Sequence, residues 1–118
     1  IAAGEKCGLA AELLDLRRGG IQRLILDVEY LGGPLRFLET ARTVQALGCE
    51  VGAHMFAHDS AHLLAALPDS MPVEVLDWWN PLFREVPVPD ADGLLAVRGP
   101  GLGRTLREDT LARYGRKV

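Results

Sequence analysis

The chain has 118 residues, enough for one domain with a modest core. Its composition is ordinary for a globular protein, and a net charge of −3 gives no basic excess of the kind that indicates nucleic-acid binding. No apolar stretch approaches the roughly 20 residues that cross a bilayer, and no charged-then-apolar leader opens the sequence. We therefore expect a cytoplasmic protein with no nucleic-acid and no membrane partner.

The first two thirds of the chain alternate between strand and helix patterns. The predicted strands cover residues 1–4, 21–26, 50–55 and 73–76, and the predicted helices cover residues 9–18, 34–47 and 61–67. The second strand is too uniformly apolar for a sheet with one wet face, which favours a parallel sheet covered by helices. This order is a run of βαβ units with right-handed crossovers and predicts an α/β fold.

Two details of the predicted helices can be checked directly. The second helix has a candidate buried stripe of Leu35, Leu38, Ala41, Val44 and Leu47. The third helix has Asp59 or Ser60 as its candidate cap.

After Trp78 the character of the sequence changes. Prolines and a turn at residues 90–93 interrupt any regular pattern, and only a short strand over 94–97 and a closing helix over 107–114 are predicted. The glycine-rich loop at 99–103 lacks the full dinucleotide-binding spacing, so nucleotide binding is not favoured. The aromatic residues of this region are interpreted as packing residues: Trp78, Trp79, Phe83 and Tyr114.

The two cysteines, Cys7 and Cys49, lie far apart and match no metal-binding or redox spacing. A single disulfide is the less favoured possibility. Two reduced, largely buried thiols are the better interpretation for a cytoplasmic protein.

Three predicted strands carry an ionisable side chain at or near the carboxyl end, namely Asp27, His54 and Glu74. Because the carboxyl ends of parallel strands meet at one rim, these residues could share a site. A histidine moves protons near neutral pH, and a carboxylate on its other ring nitrogen fixes the tautomer and favours the imidazolium form. Asp27 is placed to do this if its strand neighbours that of His54.

His54, Glu74 and the two other histidines also have structural interpretations that involve no catalysis. A lone strand histidine is more often bonded to backbone, and the alternative to a catalytic role for Glu74 is pairing with an arginine. His58 and His62 have helical spacing, but without a third ligand we interpret them as a loop polar group and a helix-face residue.

Several short motifs, taken together and in order, resemble the C-terminal third of an enolase-superfamily enzyme of the mandelate racemase-like subgroup, which includes acid-sugar dehydratases. They are Ile1-Ala2-Ala3-Gly4-Glu5, Asp27 followed by Gly32-Gly33, Gly52-Ala53-His54-Met55-Phe56, Val73-Glu74 and Pro100-Gly101-Leu102-Gly103. The resemblance covers essentially the whole chain.

The resemblance implies the C-terminal part of a (β/α) TIM-like barrel, from the end of the fifth strand to the eighth strand. On this reading residues 1–79 belong to the barrel, and residues 80–118 return to pack on the barrel and a capping domain. Glu5 falls on a Mg²⁺-binding carboxylate of the family, Asp27 and His54 on its Asp–His catalytic pair, and Glu74 on its eighth-strand acid. The first two metal carboxylates and the second-strand lysine have no counterpart, so we expect this chain to be part of an enzyme.

The function implied is that of a Mg²⁺-dependent dehydratase, a lyase that removes the proton beside the carboxylate of a sugar acid and forms a metal-stabilised enediolate. His54 would act as the general acid and could also be the base, and Glu74 would hydrogen-bond the substrate carboxylate. One alternative is a racemase or epimerase of a 2-hydroxy acid. An alternative of another class is a non-catalytic small α/β binding module. The expected partners are a small carboxylate substrate and further copies of the chain in a homo-oligomer.

Overall fold

The computed structural model describes residues 1–116. Within that range it contains a three-stranded sheet, four α-helices and one 3-10 turn. In chain order the elements are β1 (Ala2–Ala3), α1 (Ala10–Arg18), β2 (Arg23–Leu26), α2 (Pro34–Ala46), β3 (Glu50–Ala53), α3 (Ala57–Ala65), the 3-10 turn (Asn80–Leu82) and α4 (Glu108–Tyr114). The strand–helix alternation predicted for the first two thirds of the chain is therefore confirmed through α3.

The sheet is parallel throughout and has the order β1-β2-β3. Because consecutive strands are neighbours and their crossovers are expected to be right-handed, the connecting helices fall on one face of the sheet. Leu24 and Leu26 of β2 and Val51 of β3 are at most 1% exposed and belong to the core cluster on that face. Side chains alternate along a strand, so the residues between them face the other way.

The core-facing side of α2 differs from the predicted stripe. Leu35 is 78% exposed and Leu47 is 49% exposed, whereas Phe37 is fully buried together with Ala41 and Val44. The predicted stripe advanced three residues at a time, and in a helix of about 3.6 residues per turn such a row drifts by about 60° at each step. Its ends therefore rotate out of the core, and residues spaced by three and four take their place.

The strand predicted over residues 73–76 is wrong, since residues 71–76 carry no regular secondary structure. The segment still runs beside β3, because the Met71 N–H donates to the Val51 carbonyl at 2.8 Å. Pro72 has no N–H to continue a ladder. Further along, Glu74 reaches the end of β3 with its side chain rather than its backbone.

The short strand predicted over residues 94–97 is also wrong. The turn that precedes it does form, because the Asp90 carboxylate accepts the Leu94 N–H at 2.8 Å. Leu94 and Val97 are 66% and 43% exposed, however, and no strand within the described residues pairs with them. The closing helix, in contrast, is confirmed as α4.

Two of the four aromatic residues interpreted as packing residues make that packing. Phe83 is 8% exposed, and the Trp79 ring stacks on Phe56 with centroids 5.5 Å apart. Trp78 and Tyr114 are 67% and 66% exposed, so for these two the prediction is wrong as regards contacts within this chain.

Both cysteines are free thiols, as predicted. Cys49 is buried and Cys7 is partly buried. Burial raises the pKa of the Cys7 thiol, and the negative charges of Glu12 and Glu5 raise it further. A thiol with a raised pKa is a poor nucleophile, so nothing marks Cys7 as reactive.

Within the described part of the chain, every helix is too short or too polar to cross a membrane.

Candidate active site

The strand register brings two of the predicted residues side by side. Leu26 at the end of β2 pairs with Ala53 at the end of β3, so the next residues along the two strands, Asp27 and His54, are adjacent. The His54 backbone N–H donates to the Leu26 carbonyl at 2.8 Å and extends the ladder by one bond. By strand alternation both side chains lie on the sheet face opposite to the helices.

The Asp27 carboxylate holds the His54 ring directly. His54 Nδ1 lies 2.9 Å from Asp27 Oδ2, and the Asp27 side chain is 3% exposed against 28% for His54. The other oxygen, Oδ1, accepts the backbone N–H groups of Glu29 at 2.7 Å and Tyr30 at 3.0 Å. A carboxylate in this setting accepts hydrogen bonds, so Nδ1 carries the proton that it donates, and Nε2 is left for the pocket.

The chain turns sharply after His54. Met55 and Phe56 have φ angles of 52° and 44°, in the left-handed region that non-glycine residues rarely adopt. The Met55 N–H donates to Glu74 Oε2 at 2.9 Å, so Glu74 is bound to the residue that follows His54. Helix α3 then begins at Ala57, with Phe56 as its N-terminal flanking residue.

The cap predicted for this helix is wrong. Because α3 begins four residues earlier than expected, Asp59 and Ser60 lie inside it and are buried, at 5% and 1% exposure. Neither is at the helix start. The apolar spacing of residues 61–67 could not show that Ala57 and His58 already adopt helical geometry.

Three of the four predicted site residues line one cavity of about 380 Å³, namely Glu5, His54 and Glu74. Asp27 does not line it and lies behind the His54 ring. Glu5 follows β1, and among the described residues its carboxylate accepts no hydrogen bond. The structure therefore brings together the residues singled out in the sequence.

The cavity also has walls that the sequence analysis missed. Ile25, Gly52 and Met71 line it, and Met71 packs against the open face of Gly52. The position of Gly52 could have been found, because it is two residues before His54 and so faces the same side of the sheet. Nothing in the sequence pattern marks Met71.

His58 and His62 do not form a metal site. His58 Nε2 lies 2.6 Å from the Glu85 carbonyl, and His62 Nδ1 lies 2.9 Å from the His58 carbonyl. Within residues 1–116 no group of three or more His, Cys, Asp or Glu side chains is arranged to hold a metal ion. The interpretation of His62 as a helix-face residue is confirmed, whereas the interpretation of His58 as a loop residue is wrong, because His58 lies in α3.

A buried ion pair ties the start of α3 to the C-terminal segment. Arg104 Nη2 lies 2.9 Å from Asp59 Oδ2, and the two side chains are 25% and 7% exposed. The Arg104 guanidinium also lies over the Phe83 ring, 4.6 Å from its centroid. Burial raises the pKa of the Asp59 carboxyl, while the charge of Arg104 and those of nearby histidines lower it.

Replacing Arg104 by Gln in this protein is expected to lower the free energy of unfolding by about 2–4 kcal/mol at neutral pH, since Asp59 would remain charged and buried without its partner. Losing the guanidinium also raises the Asp59 pKa further. When the pKa of a carboxyl is higher in the folded state than in the unfolded state, the group stabilises the fold at pH values below its pKa in the unfolded state. That contribution is lost as the pH rises through its pKa in the folded state. The destabilisation caused by Arg104→Gln should therefore be smaller in acid than at neutral pH. Urea unfolding measured across the pH range would show this.

The matched control for this variant is Arg107→Gln. Arg107 pairs with Asp109 at the same distance of 2.9 Å, but the two side chains are 48% and 67% exposed. An exposed pair contributes little, so no measurable change in stability is expected. Equal losses in the two variants at every pH would contradict the account of a buried pair.

A parallel α/β sheet with ionisable groups gathered at the carboxyl ends of its strands has the layout of an α/β enzyme site. The profile of the family described as Enolase C-terminal domain-like matches residues 1–110. The chain belongs to this family, and the resemblance found in the sequence is confirmed at that level. Closure of a complete barrel, the division at residue 79 and the return of the tail to a capping domain stay predictions.

Solved structures of related proteins match nearly the whole chain. The L-talarate dehydratase from Polaromonas sp. JS666, crystallised with Mg and L-glucarate, is 36% identical with a TM-score of 0.86, over 95% of this chain and 32% of that one. The L-talarate/galactarate dehydratase from Salmonella typhimurium LT2 is 30% identical with a TM-score of 0.85, over 95% of this chain and 29% of that one.

A third similar structure is named as a mandelate racemase/muconate lactonizing enzyme and also comes from Polaromonas sp. JS666. It is 33% identical with a TM-score of 0.77, over 95% of this chain and 31% of that one. The chain thus spans about a third of the length of the solved structures it matches.

Proposed function

We propose that this chain is part of a Mg²⁺-dependent dehydratase that acts on a sugar acid. The observation that carries the proposal is the 2.9 Å bond between Asp27 and His54 at neighbouring strand ends, beside a cavity that Glu5 and Glu74 also line. The 36% identity to a dehydratase crystallised with Mg and L-glucarate favours a sugar acid as substrate.

His54 is proposed as the group that moves protons. Its Nδ1 is occupied by Asp27, so Nε2 is the atom that faces the substrate. In a dehydration the bond from carbon to the leaving hydroxyl breaks, and a proton from Nε2 converts that hydroxyl to water. The proton beside the carboxylate leaves in the same overall reaction, and its electron pair forms the new carbon–carbon double bond. His54 could accept that proton as well.

Asp27 is proposed to act through His54. With its two oxygens taken by three N–H groups, the carboxylate is held in place and keeps the imidazole in one tautomer and one orientation. Its negative charge stabilises the imidazolium that exists before the proton is given up.

Glu74 is proposed to contact the substrate carboxylate. Oε2 accepts the Met55 N–H, which leaves Oε1 as the oxygen that can carry a proton and donate it in a hydrogen bond. Such a bond strengthens as negative charge develops on the substrate carboxylate.

Glu5 is proposed as a ligand of the metal. Its carboxylate is a hard oxygen donor at the cavity and has no competing hydrogen bond from the described residues, so it fits Mg²⁺. Since residues 1–116 hold no complete ligand cluster, Glu5 would act with ligands from the rest of the enzyme. When bound, Mg²⁺ supplies a Lewis acid that disperses charge on the substrate carboxylate.

The test uses the full enzyme with Mg²⁺ in deuterated water and a panel of sugar acids and 2-hydroxy acids. Dehydration gives a 2-keto-3-deoxy acid, detected as its semicarbazone, and the His54→Asn variant should form it at least about 100-fold more slowly. The second candidate is a racemase or epimerase, which the 33% identity to a mandelate racemase/muconate lactonizing enzyme supports. Such an enzyme would incorporate deuterium at the α-carbon of the substrate without losing water. If the enzyme catalyses neither reaction with any of these acids, the proposal is contradicted and a non-catalytic binding module is favoured.

Homo-oligomeric assembly and cytoplasmic location stay predictions from the sequence.

A further inference from the structure

Two successive residues directly after His54 have strained backbones. Met55 and Phe56 both lie in the left-handed region, with φ angles of 52° and 44°, and neither is a glycine. This conformation is unfavourable for a residue with a side chain and persists only where its surroundings hold it. The strain therefore implies contacts that act specifically on this turn, which we call the His54 turn, residues 54–56.

Ser60 supplies two of these contacts. Its hydroxyl donates to the Met55 carbonyl at 2.6 Å, and its backbone N–H donates to the Phe56 carbonyl at 2.8 Å. Ser60 is 1% exposed, so no bulk water can replace it as a donor to the Met55 carbonyl. On the other side of Met55, its backbone N–H donates to the Glu74 carboxylate.

The consequence for His54 follows from the covalent chain. The Met55 N–H and carbonyl are each fixed by a side chain, one from the cavity wall and one from α3, so both peptide units of Met55 are held in orientation. His54 precedes this clamped residue directly. The hydrogen bond between His54 Nδ1 and Asp27 Oδ2, 2.9 Å long, must be kept for Nε2 to keep its direction.

We propose that Ser60 is a positioning residue, whose hydroxyl holds the His54 turn in its left-handed conformation and thereby aims the imidazole at the substrate. This inference rests on the proposed role of His54. Ser60 does not line the cavity, and Glu74 alone restrains only the N–H side of Met55.

The test is Ser60→Ala in the full enzyme with the sugar acid that it turns over. We expect kcat to fall by about 10–100-fold, the size of effect produced by misplacing a catalytic group by about 1 Å. KM should stay within about twofold, because the groups that bind the substrate are untouched. Ser60→Thr should recover much of the activity, since its hydroxyl can bond to the same carbonyl.

The matched control is Thr43→Ala. The Thr43 hydroxyl also donates to a backbone carbonyl, that of Glu39 at 2.8 Å, but it lies on the exposed side of α2. This variant should keep both kcat and KM. A loss of activity in Ser60→Ala that only tracks the loss of folded protein, or a rise in KM with kcat unchanged, would overturn the proposal.

Failure of this inference can be told apart from failure of the proposed function. If His54→Asn is inactive while folded Ser60→Ala keeps its full kcat, the positioning role alone is wrong. If His54→Asn remains active, the role of His54 itself is wrong. Should Ser60→Ala not fold, Ser60→Cys replaces it, because the thiol has a similar size but is only a weak hydrogen-bond donor. The same fall in kcat is then expected, and a wild-type kcat would overturn the proposal.

Discussion

Replacing His54 by Asn in the full enzyme is expected to lower kcat by about 10²–10⁴-fold, the usual contribution of one acid–base group. Asn keeps a polar side chain in the cavity but cannot deliver a proton from the position of Nε2. KM should change little, since Glu74, the metal that Glu5 is proposed to bind and the rest of the pocket would still hold the substrate carboxylate. Steady-state kinetics at saturating Mg²⁺ provide the measurement.

Asp27→Asn completes a double-mutant cycle with this variant. It preserves size and a hydrogen-bonding group but removes the charge that holds the imidazole in one tautomer, so a loss of similar order is expected. If Asp27 acts only through His54, the double variant should be hardly worse than His54→Asn alone. Two losses that multiply would show that the residues work independently.

His62→Asn is the control for this series. His62 bonds to a backbone carbonyl within α3 and does not line the cavity that contains His54. Its replacement should leave kcat near the wild-type value. Near-normal turnover in His54→Asn would end the proposed mechanism.

The second large effect is expected from Glu5→Gln. The amide keeps the shape of the side chain but removes the negative charge that a Mg²⁺ ligand contributes. Because a bound metal supplies several kcal/mol of charge stabilisation, kcat/KM should fall by about 10²–10⁴-fold. Calorimetric titration of the chelated enzyme with MgCl₂ should show weaker binding, which separates a metal ligand from a group that affects turnover only.

Glu29→Gln is the matched control for the metal experiment. Glu29 is an exposed acid that follows β2 and contacts Asp27 only through its backbone N–H. Both Mg²⁺ binding and turnover should survive its replacement. Full activity of the native enzyme after thorough chelation, or unchanged Mg²⁺ affinity in Glu5→Gln, would rule out the metal role of Glu5.

Local sequence patterns predicted most of the elements correctly because their causes are local. Glycines at 19 and 20 end α1, Pro34 begins α2, and short uncharged runs after Arg23 and Glu50 complete β2 and β3. The errors arose where the spacing or composition of one segment was used to infer what that segment packs against or pairs with. The α2 stripe drifted around the helix, and residues 73–76 had a strand-like composition but form no ladder with β3.

The sequence by itself determined that Asp27 and His54 come at the ends of two consecutive parallel strands, because strand polarity and alternation follow from the chain alone. Their catalytic roles stay proposals. Only the tertiary structure decided that β2 and β3 align so that the two side chains meet at 2.9 Å. It also decided that Glu74 and Ser60 hold opposite sides of Met55. The Asp27–His54 and Met55–Glu74 contacts join residues 27 and 19 positions apart and depend on how the strands align. The Met55–Ser60 contact depends on a strained turn that no local propensity favours.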